Sequence, residues 1–527
     1  MNGKRTRYLG LAVAFTAAFL TAASPHRLLG QDTTAGKKVY GKWCADCHGD
    51  QGDGKGVGAN YMLPRPRDFT GAVYKIRTTA SGQLPMDADL MHAVDEGLAG
   101  TGMPAWKARL SESERRDVVA YIKTFSAFFT DTTQRPKALE FSREPSSGGD
   151  ALKIGKQFYD SIQCRKCHGD QGRGNGPSAP DLKDDPGQPM FAADLHLSWR
   201  FRGGSTTADI YHRLRTGVDG TPMPSFSDLI DKKFLTDEQL WHLAQYVRSL
   251  SPEKPPEVRD VIHAKQVTGP LPASPDDSAW SHVDSYYFPL VGQIIRKPRW
   301  FDPAVTDIWV QAVHDGKSVA LRLSWDDRSQ SPDTVWRKFT KRIIETVAAD
   351  DTVPANSTLL WPDQVAVQFP MTIPEGTDRP YFLMGSTSAP VYQWRWTSSP
   401  NHAFAGTAHG LERFDTLPAP SSGALGGKAV YDHGQWRVVF TRTLATSDTA
   451  NELQFALGRA IPVAFFAWDG SNGEHDSRMS VSTWYFLALD QPTPPATFIS
   501  PVIAMAVTLG LGMLVVVRAQ RRKGTSA

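Results

Sequence analysis

The chain has 527 residues, 40% hydrophobic and 21% charged, a globular mixture long enough for three or four domains; a disordered or fibrous chain is excluded. The formal charge of +3 comes from the ends: residues 1–31 carry Lys4, Arg5, Arg7 and Arg27, residues 518–527 carry Arg518, Arg521, Arg522 and Lys523, and neither stretch holds an acid. Without these the body has 50 basic against 55 acidic residues, which argues against a nucleic-acid binder, and four cysteines in two close pairs exclude a disulfide-stapled scaffold.

In chain order, residues 1–31 read as an export signal: a basic start, an apolar run Leu9–Ala23, and small residues Ala22, Ala23 and Ser24 near a cut. Two similar units come next, over 32–130 and 148–252. Each is expected to open with a helix, Lys37–Trp43 in the first and Ala151–Ile162 after Asp150 in the second. Each is expected to close with a helix announced by a capping box, Ser111 with Glu114 and Thr236 with Gln239. The Gly- and Pro-rich chain between reads as loop. A polar linker at Thr130–Gly149 separates the two units, and another at Ser251–Pro256 separates the second unit from the rest of the chain.

From 275 to 490 the pattern alternates with period two. Ile308, Val310 and Ala312, a His314–Asp315–Gly316 turn, then Val319, Leu321, Leu323 and Trp325 predict a hairpin. Trp436, Val438 and Phe440 alternate after Asp432–Gly434, and Val463–Trp468 and Ser480–Leu489 are two more strands, together suggesting an all-β sandwich. After a tether at Gln491–Ala496, Phe498–Val517 runs 20 residues without a charge, enough to span a bilayer's roughly 30 Å core as a helix. The basic tail 518–527 then belongs in the cytoplasm, leaving the body periplasmic on a single-pass membrane anchor.

The strongest internal signal is a duplication at an offset of 120 residues: Cys44, Cys47, His48 and Gly49–Gly52 recur as Cys164, Cys167, His168 and Gly169–Gly172. His92, Gly97, Gly100, Thr101, Met103 and Pro104 recur likewise as His212, Gly217, Gly220, Thr221, Met223 and Pro224. Cys-x-x-Cys alone can be a redox dithiol, half a zinc site or a haem attachment; the histidine directly after it favours haem, with both thiols forming thioethers and the imidazole binding iron. Met103 and Met223 each stand 55 residues after that histidine, in a Met-Pro loop suited to supply the sixth ligand. Met62 and Met86 are rivals without a counterpart at that offset, and His92 and His212 read as buried helix residues rather than ligands. Gly52, Gly54, Gly56 and Gly58 mimic a nucleotide loop but come after the haem motif, and no residue set suggests a catalytic nucleophile or a molybdenum site.

On these residues both units resemble class I cytochrome c domains. Residues 275–490 resemble the haem-binding domain of ethylbenzene dehydrogenase gamma subunits, through Trp361–Pro370, Tyr381–Gly385, Val391–Trp396, Gly434–Leu444 and Val463–Tyr485. That resemblance implies a β-sandwich holding one non-covalent haem b between a methionine and a lysine, in electron-transfer subunits of DMSO-reductase-family enzymes such as nitrite oxidoreductase. Carried over, Met384 takes the methionine's place. Where the lysine is expected the chain reads Asp476–Ser477–Arg478–Met479–Ser480; arginine cannot ligate, so Met479 is the substitute, with His475 and then Lys428 behind it.

The sequence thus predicts two all-α cytochrome domains, an all-β sandwich and a C-terminal transmembrane helix. The expected function is an electron carrier with two haems c and one haem b, passing electrons between a molybdenum/iron–sulfur oxidoreductase and the respiratory chain. A di-haem peroxidase is the rival from the enzyme class, and a sandwich that serves only as a binding module is a third reading.

Overall fold

The computed structural model describes residues 32–131, 133, 135–146, 148–347, 359–376, 378–418, 425–491 and 496–524. The expected export signal lies outside the described residues, as do parts of the tether and tail.

Two helical units come first. The first is built on α1 (Thr33–Trp43), α2 (Asp87–Glu96) and α3 (Glu112–Lys123), the second on α4 (Ala151–Ser161), α5 (Thr207–Thr216) and α6 (Asp237–Ser249). Asp32 accepts from the Thr34 and Ala35 amides at 2.8 and 3.1 Å, so α1 starts ahead of Lys37; Asp150 precedes α4 without making a cap bond. Both expected capping boxes form: the Ser111 amide donates to Glu114 at 2.8 Å and the Thr236 amide to Gln239 at 2.8 Å. The central helices α2 and α5 were hidden in stretches that read as loop. Val118, Val119 and Ile122 on α3, and Leu240, Leu243, Ala244 and Val247 on α6, form the cores.

The first and last helix of each unit cross very closely. A Cβ on Gly36 would lie 2.0 Å from the Asp117 carbonyl oxygen, and one on Gly155 2.1 Å from that of His242. These glycines are 119 residues apart, whereas the cysteines are 120 apart. The extra residue in the second unit is absorbed just before Cys164, where Gln163 adopts a left-handed φ of 69°.

The β region is one mixed sheet whose two halves face each other across a single core. Its strands are β1 (Val261–Gln266), β2 (Tyr286–Pro289), β3 (Val291–Gly292), β4 (Asp307–His314), β5 (Ser318–Asp326), β6 (Gln364–Pro370), β7 (Val391–Ser398), β8 (Asn401–Ala408), β9 (Phe414–Thr416), β10 (Gly426–Asp432), β11 (Gln435–Thr443), β12 (Ala460–Trp468), β13 (Ser480–Val481) and β14 (Tyr485–Leu489). The order is β10-β11-β5-β4-β1-β14-β12-β6-β7-β8-β9. Trp325 and Trp436 from one half meet Trp394 and Trp396 from the other. The β4–β5 hairpin turns at Gly316 as expected, with Trp309 opposite Ser324. The region begins before 275, because β1 pairs in parallel with β14 and β4; a short strand without a hairpin partner leaves no turn signal. The last expected strand is broken into β13 and β14.

One helix, α7 (Thr334–Val347), was absent from the alternating reading; its Trp336 and Phe339 pack on Ala179 and Ala192 of the second helical unit, beside Cys167. The chain ends in α8 (Ala496–Gly524), within which Ile499–Arg521 is long and apolar enough to cross a membrane, with its apolar side chains exposed.

Buried polar contacts join the regions. Arg77, fully enclosed, donates to the Thr216 carbonyl at 2.8 Å and pairs with Asp219 at 2.7 Å across the two helical units. Arg173 pairs with Asp326 at 2.8 Å, and Arg200 reaches Asp307 and Thr306, between the second unit and the sheet. Because Arg77 satisfies backbone carbonyls of both units at once, Arg77→Met is expected to cost on the order of 3 kcal/mol, read as a lower denaturant midpoint.

Candidate functional site

Each Cys-x-x-Cys-His segment forms a single helical turn, Ala45–His48 and Arg165–His168, at the end of the unit's first helix. A buried tyrosine on that helix ties the turn down: Tyr40 Oη donates to the Gly49 carbonyl at 2.7 Å and Tyr159 Oη to that of Gly169 at 2.6 Å. His48 Nδ1 lies 3.0 Å from the Arg67 carbonyl and His168 Nδ1 2.9 Å from the Ala193 carbonyl. A carbonyl only accepts, so Nδ1 carries the proton and Nε2 keeps its lone pair for a metal. Burial lowers both histidine pKa values, which favours the neutral, ligating ring.

All four thiols are free, and burial pushes Cys44 and Cys164 up to about 12. A redox dithiol needs a lowered thiol pKa, the opposite of what is found here. Cys44 packs with the core of the first unit and Cys164 with that of the second, so the pairs do not join in one zinc site. The glycines after the motif are required by close approach: a Cβ on Gly56 would lie 2.2 Å from the Asp46 carbonyl oxygen, and one on its repeat partner Gly176 2.3 Å from that of Lys166.

The two methionine loops are superimposable in their bonds. The Leu98 amide donates to the Met103 carbonyl at 3.1 Å and the Val218 amide to the Met223 carbonyl at 3.1 Å. Thr101 and Thr221 hydroxyls accept the Met103 and Met223 amides at 3.1 and 3.2 Å. Met103 packs on the cluster that also holds Cys44, and Met223 on the one that holds Cys164. Met62 also lies against the first loop, its sulfur 3.3 Å from where a Cβ on Gly102 would sit. His92 and His212 are on α2 and α5 as expected, yet His92 is exposed and His212 stacks on Phe141 with ring centroids 4.0 Å apart.

A cavity of about 1250 Å³ is lined by Cys164, Cys167, His168 and Met223 and opens between both helical units and the sheet. Arg67, Lys75 and Arg202 also line it, with no hydrogen bond or ion pair to their cationic groups among the described residues. Burial and mutual repulsion push Lys75 down to about 8. In the first unit Tyr74 Oη and Trp106 Nε1 are buried without a partner. Asp184 and Asp185 lie near Arg67 and Lys75; cations without a direct ion pair, and donors without partners, beside free thiols and a proton-locked histidine fit a flat, apolar group with acidic edges, as haem has. Sequence reading missed these cations, because they lie far apart in the chain and converge only on folding.

The sheet carries a second buried cluster on its outer side. Met384 and Met479 both belong to it, packed with Ala366, Ala408 and Ala464 of β6, β8 and β12 and with Phe466 and Trp468. Met384 holds a left-handed φ of 60°, a strained choice for a side chain that long, and Gly410 donates to its carbonyl at 2.8 Å. The donor chemistry, two buried thioethers in one cluster with small alanines, fits a haem iron. Arg395 Nη2 lies 3.7 Å from the Met384 sulfur, and its guanidinium stacks on Phe414 at 3.6 Å. Burial pushes Arg395 down to about 9. It escaped notice because Gln393 and Arg395 alternate with Tyr392, Trp394 and Trp396 like the wet face of a strand, although both faces of β7 are covered. His475 stacks instead on Trp361 at 4.1 Å and bonds Asp476, and Lys428 is exposed on the edge strand β10.

Comparisons with known proteins divide along the same lines. Residues 31–122 match the family described as cytochrome c oxidase, cbb3-type, subunit III; residues 152–251 match cytochrome c; residues 277–413 and 399–480 match ethylbenzene dehydrogenase. A Haloferax mediterranei protein named as a respiratory nitrate reductase haem subunit is 27% identical over 257 residues, 48% of this chain and 82% of its own. Dimethylsulfide dehydrogenase subunit gamma of Rhodovulum sulfidophilum is 26% identical over 235 residues, 43% of this chain and 78% of its own. Among solved structures, the reducing HAO-like protein complex of Kuenenia stuttgartiensis is 40% identical over 42% of this chain and 97% of its own, with a TM-score of 0.39.

The duplicated glycine contact makes a paired prediction. Gly56→Ala and Gly176→Ala should each cost about 1–3 kcal/mol by overpacking, measured by denaturation, and each should lower covalent haem yield in its own unit only.

Proposed function

This chain joins cytochrome c domains to an ethylbenzene dehydrogenase-like domain, and from that premise we infer a membrane-anchored, periplasmic electron carrier with two haems c and one haem b. Bound haem supplies one-electron chemistry between ferrous and ferric iron; the residues of the chain hold it, set its potential and exclude water. Cys44, Cys47, Cys164 and Cys167 are the thioether attachments. His48 and His168, with Met103 and Met223, would hold the iron of the two haems c, and Met384 and Met479 would hold haem b. Arg67, Lys75 and Arg202 are placed to answer propionates, and Arg395 to answer those of haem b.

One observation carries the reading: in each unit a Cys-x-x-Cys-His turn, whose histidine has its Nδ1 proton engaged, packs its first cysteine on the same core as a methionine loop of identical bonding. With a histidine and a methionine both available to hold the iron, no ligand position would be left for substrate, which favours a carrier over a peroxidase. The relatives named as haem or gamma subunits of nitrate reductase and dimethylsulfide dehydrogenase support a partner of that kind, a molybdenum/iron–sulfur oxidoreductase. The respiratory chain stands at the other end of the relay, and α8 would keep the carrier at the membrane.

Met103→Leu and Met223→Leu are each expected to lower the midpoint potential of one c haem and leave the other in place, measured by spectroelectrochemical titration, because the thioether favours ferrous iron. Met479→Leu should turn the b-type signal high-spin or remove it. Peroxide turnover by the native protein should be negligible; turnover at a peroxidase's rate would favour the enzyme reading.

A further inference from the structure

At the end of the sheet next to the second helical unit, three loops bring Asp327, Asp363 and Asp469 together. All three are enclosed, with one carboxylate oxygen of each within 4.8 Å of the others. None is a ligand in the haem reading above. We propose that these carboxylates form a site for a hard divalent cation of the calcium type, which ties the three loops together.

The carboxylates are held in place by their own loops. Asp363 accepts from the Ser331 amide at 2.7 Å, the Trp436 indole at 3.0 Å and the Gly470 amide at 3.0 Å. Asp469 Oδ1 accepts from the Ser471 hydroxyl at 2.6 Å and the Asn472 amide at 3.1 Å, and Asp327 Oδ1 from the Ser329 amide at 3.1 Å. Asp327 Oδ2, in contrast, is buried with no hydrogen-bond partner, and so is the hydroxyl of Ser329, the residue whose amide holds the other oxygen of that carboxylate. A buried carboxylate oxygen left bare costs kilocalories unless something not made of protein answers it.

Nearby positive charge is too little to do so. Glu474 adds a fourth buried acid, engaged with the Trp300 indole at 2.9 Å and with Asn472. Arg328 faces Asp327 and Asp469 and also Asp194 and Asp326, the last of which is paired with Arg173. Arg337 lies against Gly473 on the same loop. The oxygen spacing suits a cation that takes oxygens at about 2.3–2.6 Å, and an all-oxygen, anionic donor set selects calcium over zinc or copper. Asp327, Arg328 and Asn472 also line the large cavity, which gives the ion a path in. The cation would brace the loop 469–474 that leads to Met479 and the loop 326–331 that meets the second helical unit.

The test uses the full-length protein purified in detergent without chelator. Elemental analysis should find close to one calcium per chain, EGTA dialysis should remove it, and adding calcium alone should raise the melting temperature by at least about 4 °C. Asp327→Asn should lose the ion and the calcium-dependent shift while keeping covalent haem. Should that variant not fold, calcium titration of the EGTA-treated native protein decides alone. Metal well below stoichiometric together with an unmoved melting temperature overturns the site, as does calcium retained by Asp327→Asn. Covalent haem content, read in parallel, keeps this outcome separate from the electron-carrier reading.

Discussion

Each helical unit depends on two helices that meet where a single methyl group would not fit. Gly36 against Asp117 and Gly155 against His242 let the first and last helices cross backbone to backbone. Everything functional in the unit hangs from that crossing. The first helix delivers the Cys-x-x-Cys-His turn at its end, and the last is preceded by the methionine loop. The crossing brings the first cysteine of the motif and the methionine to one core. The tyrosine bond to the glycine after the motif and the Nδ1 bond to a loop carbonyl then fix what the crossing has placed.

The second unit is where the three regions converge. Its cavity is walled by its own motif, by Arg67 and Lys75 of the first unit and by residues around Asp302 and Asp327 of the sheet. The helix α7 adds Trp336 and Phe339 beside Cys167. A carrier must bring redox groups close while keeping water away, and a junction of buried arginines and aromatic rings suits the carrier proposed above. The same arginines are costly to bury, so they persist only if anions answer them. Asp219, Asp326 and Asp307 are such answers within the protein; Arg67 and Lys75 have Asp184 and Asp185 nearby, and with Arg202 they make no direct ion pair among the described residues.

Much of this was legible in the sequence because it is local or repeated. Cys44-x-x-Cys47-His48 and its copy announce their chemistry within five residues, capping boxes mark Thr236 and Ser111 as helix starts, and the offset of 120 picks out Met103 and Met223. What the sequence hid is made by folding alone. The strand β1 has no turn beside it, since its partners β4 and β14 lie far along the chain. The helix α7 interrupts a region whose strands set the expectation. Arg395 and the aspartates 327, 363 and 469 look like ordinary surface charges until the sheet encloses them. Met384 was found through family resemblance; its left-handed backbone and its place beside Met479 are visible only in three dimensions.

We propose three haems on one chain, two bound through cysteine and one through sulfur ligands alone. Pyridine haemochrome spectra of the purified protein, taken before and after acid-acetone extraction, test it most directly. Two c-type haems should stay with the protein and one b-type haem should leave with the solvent. A c-type signal with nothing extractable, from protein purified without haem loss, would contradict it.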